Sequence, residues 1–199
     1  MTKIKICGLM RLADIEAVCA VRPDYAGSIL TAGFRRSVAR SQYLDMNRML
    51  ADAGIKRVGV FVNEPPESAA SFAEMLDLIQ LHGDEDAAYI AKLRTFTDAE
   101  IIKMYRLTAP EDAEQVNRSP ADYVLLDSGT GTGKAFDWSL LSGITRPYFL
   151  AGGLTPENVG DAVARLHPYA VDVSSGVETN GQKDPQKIRR FTEAVRQTR

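Results

Sequence analysis

Eight short β-prone runs, each followed by a stretch of helical or turn character, recur at roughly 25-residue intervals along the 199 residues of this chain. Two parallel strands need a crossover of about a dozen residues or more between them. A repeat this tight leaves room for one helix per crossover and little else. The strands read as Ile4–Cys7, Tyr25–Leu30, Arg57–Val62, Leu78–Leu81, Glu100–Tyr105, Asp122–Leu126, Tyr148–Leu150 and Tyr169–Val173. Helices are expected over Leu12–Val21 and Ser41–Ala53, from Pro66 through Met75, up to Leu93, and over Pro110–Asn117. One or two helical turns follow at Trp138–Leu141, and a closing helix runs from Asp184 to Arg196. Thr155-Pro156-Glu157 opens the seventh as an N-cap, a first-position proline and a first-turn acid. The alternation favours an α/β single-domain (β/α)8 TIM barrel over residues 1–199, compact with short loops, above an open flavodoxin-like or Rossmann sheet.

Composition narrows the function classes. Hydrophobic residues at 45% and charged residues at 25% suit one ordinary buried core. A formal net charge of -2 gives no electrostatic reason to expect nucleic acid or an anionic membrane as partner. No apolar run approaches the roughly 20 residues of a bilayer span, and the first strand begins without a preceding signal-like apolar region. Cys7 and Cys19 are the only cysteines, and no Cys/His grouping has zinc-ligand spacing. A reduced, cytoplasmic protein is expected.

In a parallel barrel the strand C-termini surround one mouth, so residues distant in sequence can face a common substrate. Cys7 ends the first strand just before Gly8, and Asp127 ends the sixth just before a glycine-rich run. A thiol and a carboxyl so placed suit proton transfer, although a free cysteine is also a common small buried hydrophobe and an acid here can simply organise a loop. Cys19 fits the hydrophobe description, on the apolar face of its helix. The run Gly129–Lys134 is not a P-loop, since Ser128 stands where the first glycine belongs and Ala135 follows the lysine. Its glycines also miss the dinucleotide spacing, and a flexible loop closing over a pocket is expected there. Ala151-Gly152-Gly153 and Ser174-Ser175-Gly176 follow the last two strands, where barrel loops often cradle a phosphate. His82 is a turn residue or a mouth residue. Arg35-Arg36 offers a guanidinium that suits a carboxylate through paired hydrogen bonds.

Taken in order, Lys5-Ile6-Cys7-Gly8-Leu9, Gln80–Glu85, Leu126-Asp127 with Gly131–Lys134 and Phe136-Asp137-Trp138, Ala151–Leu154 and Val171–Glu178 resemble the signature of the phosphoribosylanthranilate isomerases over nearly the whole chain. The resemblance implies a cofactor-free Amadori rearrangement in tryptophan biosynthesis, from N-(5'-phosphoribosyl)anthranilate to 1-(2-carboxyphenylamino)-1-deoxyribulose 5-phosphate. It implies Cys7 as general base and Asp127 as general acid, and phosphate on the backbone of Gly153, Ser175 and Gly176. Arg36 is implied for the anthranilate carboxylate, with Arg35 as the neighbouring choice, and His82 and Asp172 line the pocket. A thiol ordinarily titrates near pH 8.5 and an aspartic acid near 3.9, so such a pair needs surroundings that pull the two values together. The second strand departs from the family pattern, and Ser28, where a Phe is usual, is expected to enlarge or polarise the pocket floor. The related isomerase of histidine biosynthesis generally uses two aspartates, which Cys7 argues against; a barrel that binds a sugar phosphate without turnover is the other class. The expected partner is a small phosphorylated sugar, and the chain is expected to be a monomer or weak homodimer.

Overall fold

The computed structural model of the chain describes residues 1–127 and 138–198. Eight parallel strands close into a barrel in sequence order. They are β1 (Lys3–Ile6), β2 (Tyr25–Ile29), β3 (Lys56–Phe61), β4 (Leu78–Leu81), β5 (Glu100–Arg106), β6 (Tyr123–Asp127), β7 (Tyr148–Leu150) and β8 (Ala170–Val173). Closure, with β1 paired to β8 over Lys3–Ile6, excludes the open-sheet alternative. Helices α1 (Leu12–Val21), α2 (Arg40–Asp52), α3 (Pro66–Ala70), α4 (Ala87–Leu93), α5 (Asp112–Asn117), α6 (Val159–Leu166) and α7 (Pro185–Gln197) surround the strands. Between β6 and β7 the described helical structure is a 3-10 turn, Trp138–Gly143, as short as the sequence implies.

The structure differs locally from the sequence reading at three places. The helix expected through Met75 breaks after Ala70 and resumes as a 3-10 turn at Ala73–Met75. Regular α6 starts at Val159, not at Pro156. The expected cap is nevertheless present one turn earlier: Thr155 Oγ1 accepts from the Glu157 N–H at 3.2 Å, and Asn158 Oδ1 accepts from the Thr155 N–H at 2.8 Å. A small hairpin of β9 (Glu178–Thr179) and β10 (Gln182–Lys183) follows β8. Its turn is Asn180-Gly181, with both residues at positive φ, the dipeptide that this hairpin geometry prefers.

Side chains alternate across a strand, so each strand contributes one row to the barrel interior and one to the helix-facing shell. The shell is the larger core, with Ile6, Leu9, Ile15, Phe61 and Phe191 all fully buried. Inside the barrel a separate apolar cluster of Tyr25, Val58, Leu78, Ile102, Leu125, Phe149 and Ala170 forms a plug near the strand N-termini. Phe149 is its hub, with ring centroids 5.3, 5.7 and 5.6 Å from Tyr25, Tyr123 and Tyr169. Phe149→Ala should cost about 3–5 kcal/mol by removing a fully buried ring that its neighbours cannot collapse to replace. Urea unfolding with an unchanged m-value checks it; a loss under 1 kcal/mol would mean that the plug does not hold the barrel.

Candidate active site

Above the plug the interior rows turn polar. Lys5 then Cys7 ascend from β1, Gln80 then His82 from β4, Leu125 then Asp127 from β6, and Asp172 then Ser174 from β8. They open into a cavity of about 660 Å³ at the C-terminal mouth. Cys7, Arg36, His82, Asp127, Gly153, Asp172, Ser175 and Gly176 all line it. A second hollow of about 600 Å³ at the opposite end is bounded by residues such as Lys3, Tyr25 and Lys56 and contains none of these. The glycine-rich run Gly129–Lys134 and its expected role over the pocket, with Phe136-Asp137, lie outside the described residues.

Cys7 is buried and sits just past β1, its N–H donating to the Val173 carbonyl at 2.8 Å. Beneath it lies Lys5, with no exposed surface, whose Nζ is 3.0 Å from Oδ1 of Asp172. Burial disfavours the Lys5 ammonium, but the Asp172 carboxylate and the Cys7 sulfur outweigh it and hold the amine above its ordinary range. Room for this arrangement comes from Gly27 on β2. A Cβ there would lie 2.9 Å from Cys7 Sγ and 3.3 Å from Lys5 Nζ.

On β4, Gln80 Nε2 lies 3.0 Å from His82 Nδ1 and fixes the ring. Burial pushes the imidazole below its usual range, favouring the neutral ring, with the nearby Asp127 charge opposing. The rest of the His82–Glu85 motif is structural. Buried Glu85 accepts from the Asn63 and Gly83 N–H groups at 2.7 and 2.9 Å and pairs with Lys103 at 2.9 Å.

Of the two arginines, Arg36 faces the cavity, and Arg35 is 59% exposed in its side chain. Glu178 gathers both, with Oε1 2.9 Å from Arg36 Nε and 3.0 Å from Lys183 Nζ, and Oε2 3.2 Å from Arg35 Nη2. Burial alone would raise the Glu178 carboxyl; Arg36 and Lys183 outweigh it and keep it ionised. Residues of the β7 and β8 loops line the cavity side by side, and Gly152 and Gly153 take positive φ of 88° and 66° there, presenting backbone to it. The expectation for Ser28 is corrected. It occupies the face of β2 opposite Gly27, is 1% exposed, and spends its hydroxyl on the Leu9 carbonyl at 3.1 Å. Among the described residues, no group of His, Cys, Asp and Glu is placed to hold a metal ion, and no helix is long and apolar enough to cross a membrane.

Residues 4–194 match the family model of N-(5'-phosphoribosyl)anthranilate (PRA) isomerase. The chain belongs to the phosphoribosylanthranilate isomerase family. A relative of that name from Thermoanaerobacter sp. (strain X514) is 44% identical over 205 residues, covering 98% of both sequences. The phosphoribosyl anthranilate isomerase of Thermotoga maritima superposes with a TM-score of 0.86 at 33% identity, covering 98% of this chain and 99% of that one. Another solved isomerase of the same name, in complex with reduced 1-(o-carboxyphenylamino)-1-deoxyribulose 5-phosphate, gives a TM-score of 0.84 at 32% identity over the same shares.

Sequence reasoning did not assign chemistry to Lys5, Gln80 or Glu178. For the first two the signal was available, since each stands two residues before a nominated mouth residue and so shares its face of the strand. Gly27→Ala should lower isomerase kcat/KM at least tenfold, about 1.4 kcal/mol, because the added methyl must displace Cys7 or Lys5. Steady-state kinetics beside a melting curve check this; wild-type kinetics would show that the sulfur has slack in its position.

Proposed function

We propose that this cavity carries out the Amadori rearrangement of N-(5'-phosphoribosyl)anthranilate to 1-(2-carboxyphenylamino)-1-deoxyribulose 5-phosphate, with Cys7 as base and Asp127 as acid. The chain is an isomerase of tryptophan biosynthesis. The observation that carries the role assignment is the placement of a buried thiol and a carboxyl on one cavity, three strands apart around the mouth, with two glycine-bearing loops between them.

Each step has a residue suited to it. Asp127 protonates the furanose ring oxygen, and the ring opens to a Schiff base. Cys7 then takes the proton from the sugar C2, giving an enolamine that tautomerises to the ketone. The phosphate sits against the backbone of Gly153, Ser175 and Gly176. Arg36, oriented by Glu178, takes the anthranilate carboxylate at the other end. His82 and Asp172, the latter paired with Lys5, complete the polar wall without transferring a proton. Binding at both ends fixes the sugar carbons between base and acid, so affinity for remote groups serves turnover. The solved relative that holds a reduced, phosphorylated carboxyphenylamino sugar supports this substrate class. A cytoplasmic monomer or weak homodimer fits the family, one member of which, from Thermotoga maritima, is described both as a dimer and as monomers generated from it.

Cys7→Ala should lower kcat by roughly 10²–10⁴ with little change in KM, the range expected for a positioned base. Cys19→Ala, remote from the cavity, should be nearly silent. Asp127→Asn, which keeps the shape without an acidic proton, should be almost as damaging as Asp127→Ala. Fluorescence assays with freshly generated substrate test all four, and turnover above half of wild type in Cys7→Ala would remove the base assignment.

The phosphate reading predicts a charge effect at Gly153. Asn and Asp both tolerate left-handed φ better than other residues, so Gly153→Asn and Gly153→Asp share their strain and differ in charge. KM should rise at least tenfold more in the Asp variant than in the Asn variant, about 1.4 kcal/mol of binding. Equal KM values in the two variants would place the phosphate elsewhere.

A further inference from the structure

Lys5 takes no part in these proton transfers, yet an ammonium with no exposed surface is an expensive thing to bury. Its Nζ donates to Oδ1 of Asp172 at 3.0 Å, across the β1–β8 pairing that sets Lys5 beside Asp172. An ammonium has three N–H donors, and that bond uses one. Cys7 lies two residues further along, on the same inward face. Sγ and Nζ both press against the bare backbone of Gly27, 2.9 and 3.3 Å from where its Cβ would stand. The cation is thus beside the sulfur with donors to spare.

We propose that Lys5 is a positioning residue for the base: its ammonium, anchored by Asp172 beneath Cys7, places a positive charge beside Sγ that favours negative charge on the sulfur where it faces the sugar. The inference rests on Cys7 being the base. When Sγ takes the C2 proton it becomes the neutral thiol, and it returns to thiolate when that proton is passed on during tautomerisation. Lys5 stays an ammonium throughout and exchanges no proton.

Other charges face the same sulfur, and they are already committed. Lys183, from β10, has three acceptors for its three donors: the Ser174 carbonyl at 2.8 Å, Ser174 Oγ at 3.4 Å and Glu178 Oε1 at 3.0 Å. Arg36, in the loop after β2, is bound by Glu178, its stem packed over Gly8. Asp172 from β8 faces Lys5, and the single carboxylate of Glu178 is shared by Lys183 and Arg36. His82 and Asp127 stand on β4 and β6, where the Asp127 charge acts on the His82 ring.

The test compares Lys5→Met with wild type, both in a Cys19→Ala background, by two readouts against pH. One is the rate of Cys7 alkylation by iodoacetamide, followed by mass spectrometry; the other is kcat. In Lys5→Met the rising limb of both curves should move to higher pH by about one unit or more. The loss in kcat should be at least tenfold at pH 7, shrink as the pH rises, and leave KM within about twofold. A structural role alone would depress kcat equally at every pH and leave the alkylation limb in place, and that result overturns the proposal. If Lys5→Met does not fold, Lys5→Met with Asp172→Asn leaves no unpaired buried charge; its alkylation limb must still move to higher pH, by less than in the single variant because the opposing carboxylate has gone as well, and an unmoved limb overturns the proposal. Cys7→Ala separates the two layers. An active Cys7→Ala overturns the base assignment and this inference together, whereas an inactive Cys7→Ala with unmoved Lys5→Met curves overturns this inference alone.

Discussion

The seam where the first strand meets the last is the constraint on which the rest of the molecule depends. Pairing of Lys3–Ile6 with Ala170–Val173 turns a row of strands into a closed cylinder. Its register does more than close the wall. It sets Lys5 opposite Asp172, so the charge needed to neutralise the buried ammonium arrives with the hydrogen bonds that join the strands. A slip of one residue would turn every inward side chain of β1 outward, replacing Lys5 and Cys7 with Ile4 and Ile6 on the cavity side. Barrel closure and site chemistry are specified by one set of contacts.

The interior is graded along its axis. Aromatic and branched side chains fill the end near the strand N-termini, while charged and polar groups occupy the layers nearest the mouth. The gradient assigns a division of labour: the plug stabilises the barrel by excluding water, and the polar layers above it hold groups whose desolvation would be intolerable without partners. Lys5 with Asp172 is paired in this way, and on the outer face of β5 buried Lys103 is likewise paired with Glu85. Only the first pair touches the thiol; the second ties the β4 loop to β5 and keeps His82 at its place on the rim.

The fold was legible in the sequence because strand and helix alternate with a regular period and the strand ends are marked by glycines, caps and prolines. The mouth residues were legible because a thiol, an imidazole or an acid breaks an apolar run at the one end of a strand where the barrel opens to substrate. Less was legible where meaning depends on contacts across the barrel. Glu178 reads as one acid in a short motif, yet it joins Lys183 of its own hairpin to Arg35 and Arg36 of a distant segment. Ser28 reads as a pocket-floor substitution, and only the pleat of β2 shows that it faces the other way. The Asn180-Gly181 hairpin carried a local signal, but its strands are two residues long and leave no periodicity to see.

The 167 positions that separate Lys5 from Asp172 have a kinetic meaning as well. Joining groups so far apart along a chain carries an entropic cost that grows slowly with length and is repaid only once the intervening segments are ordered. Contacts of this span are the ones that slow folding. A chain with its helices formed and its cylinder still open would hold a thiol with no anchored cation beneath it. On the role proposed for Lys5, the cation would reach its place beneath that sulfur only as the wall around the substrate closes.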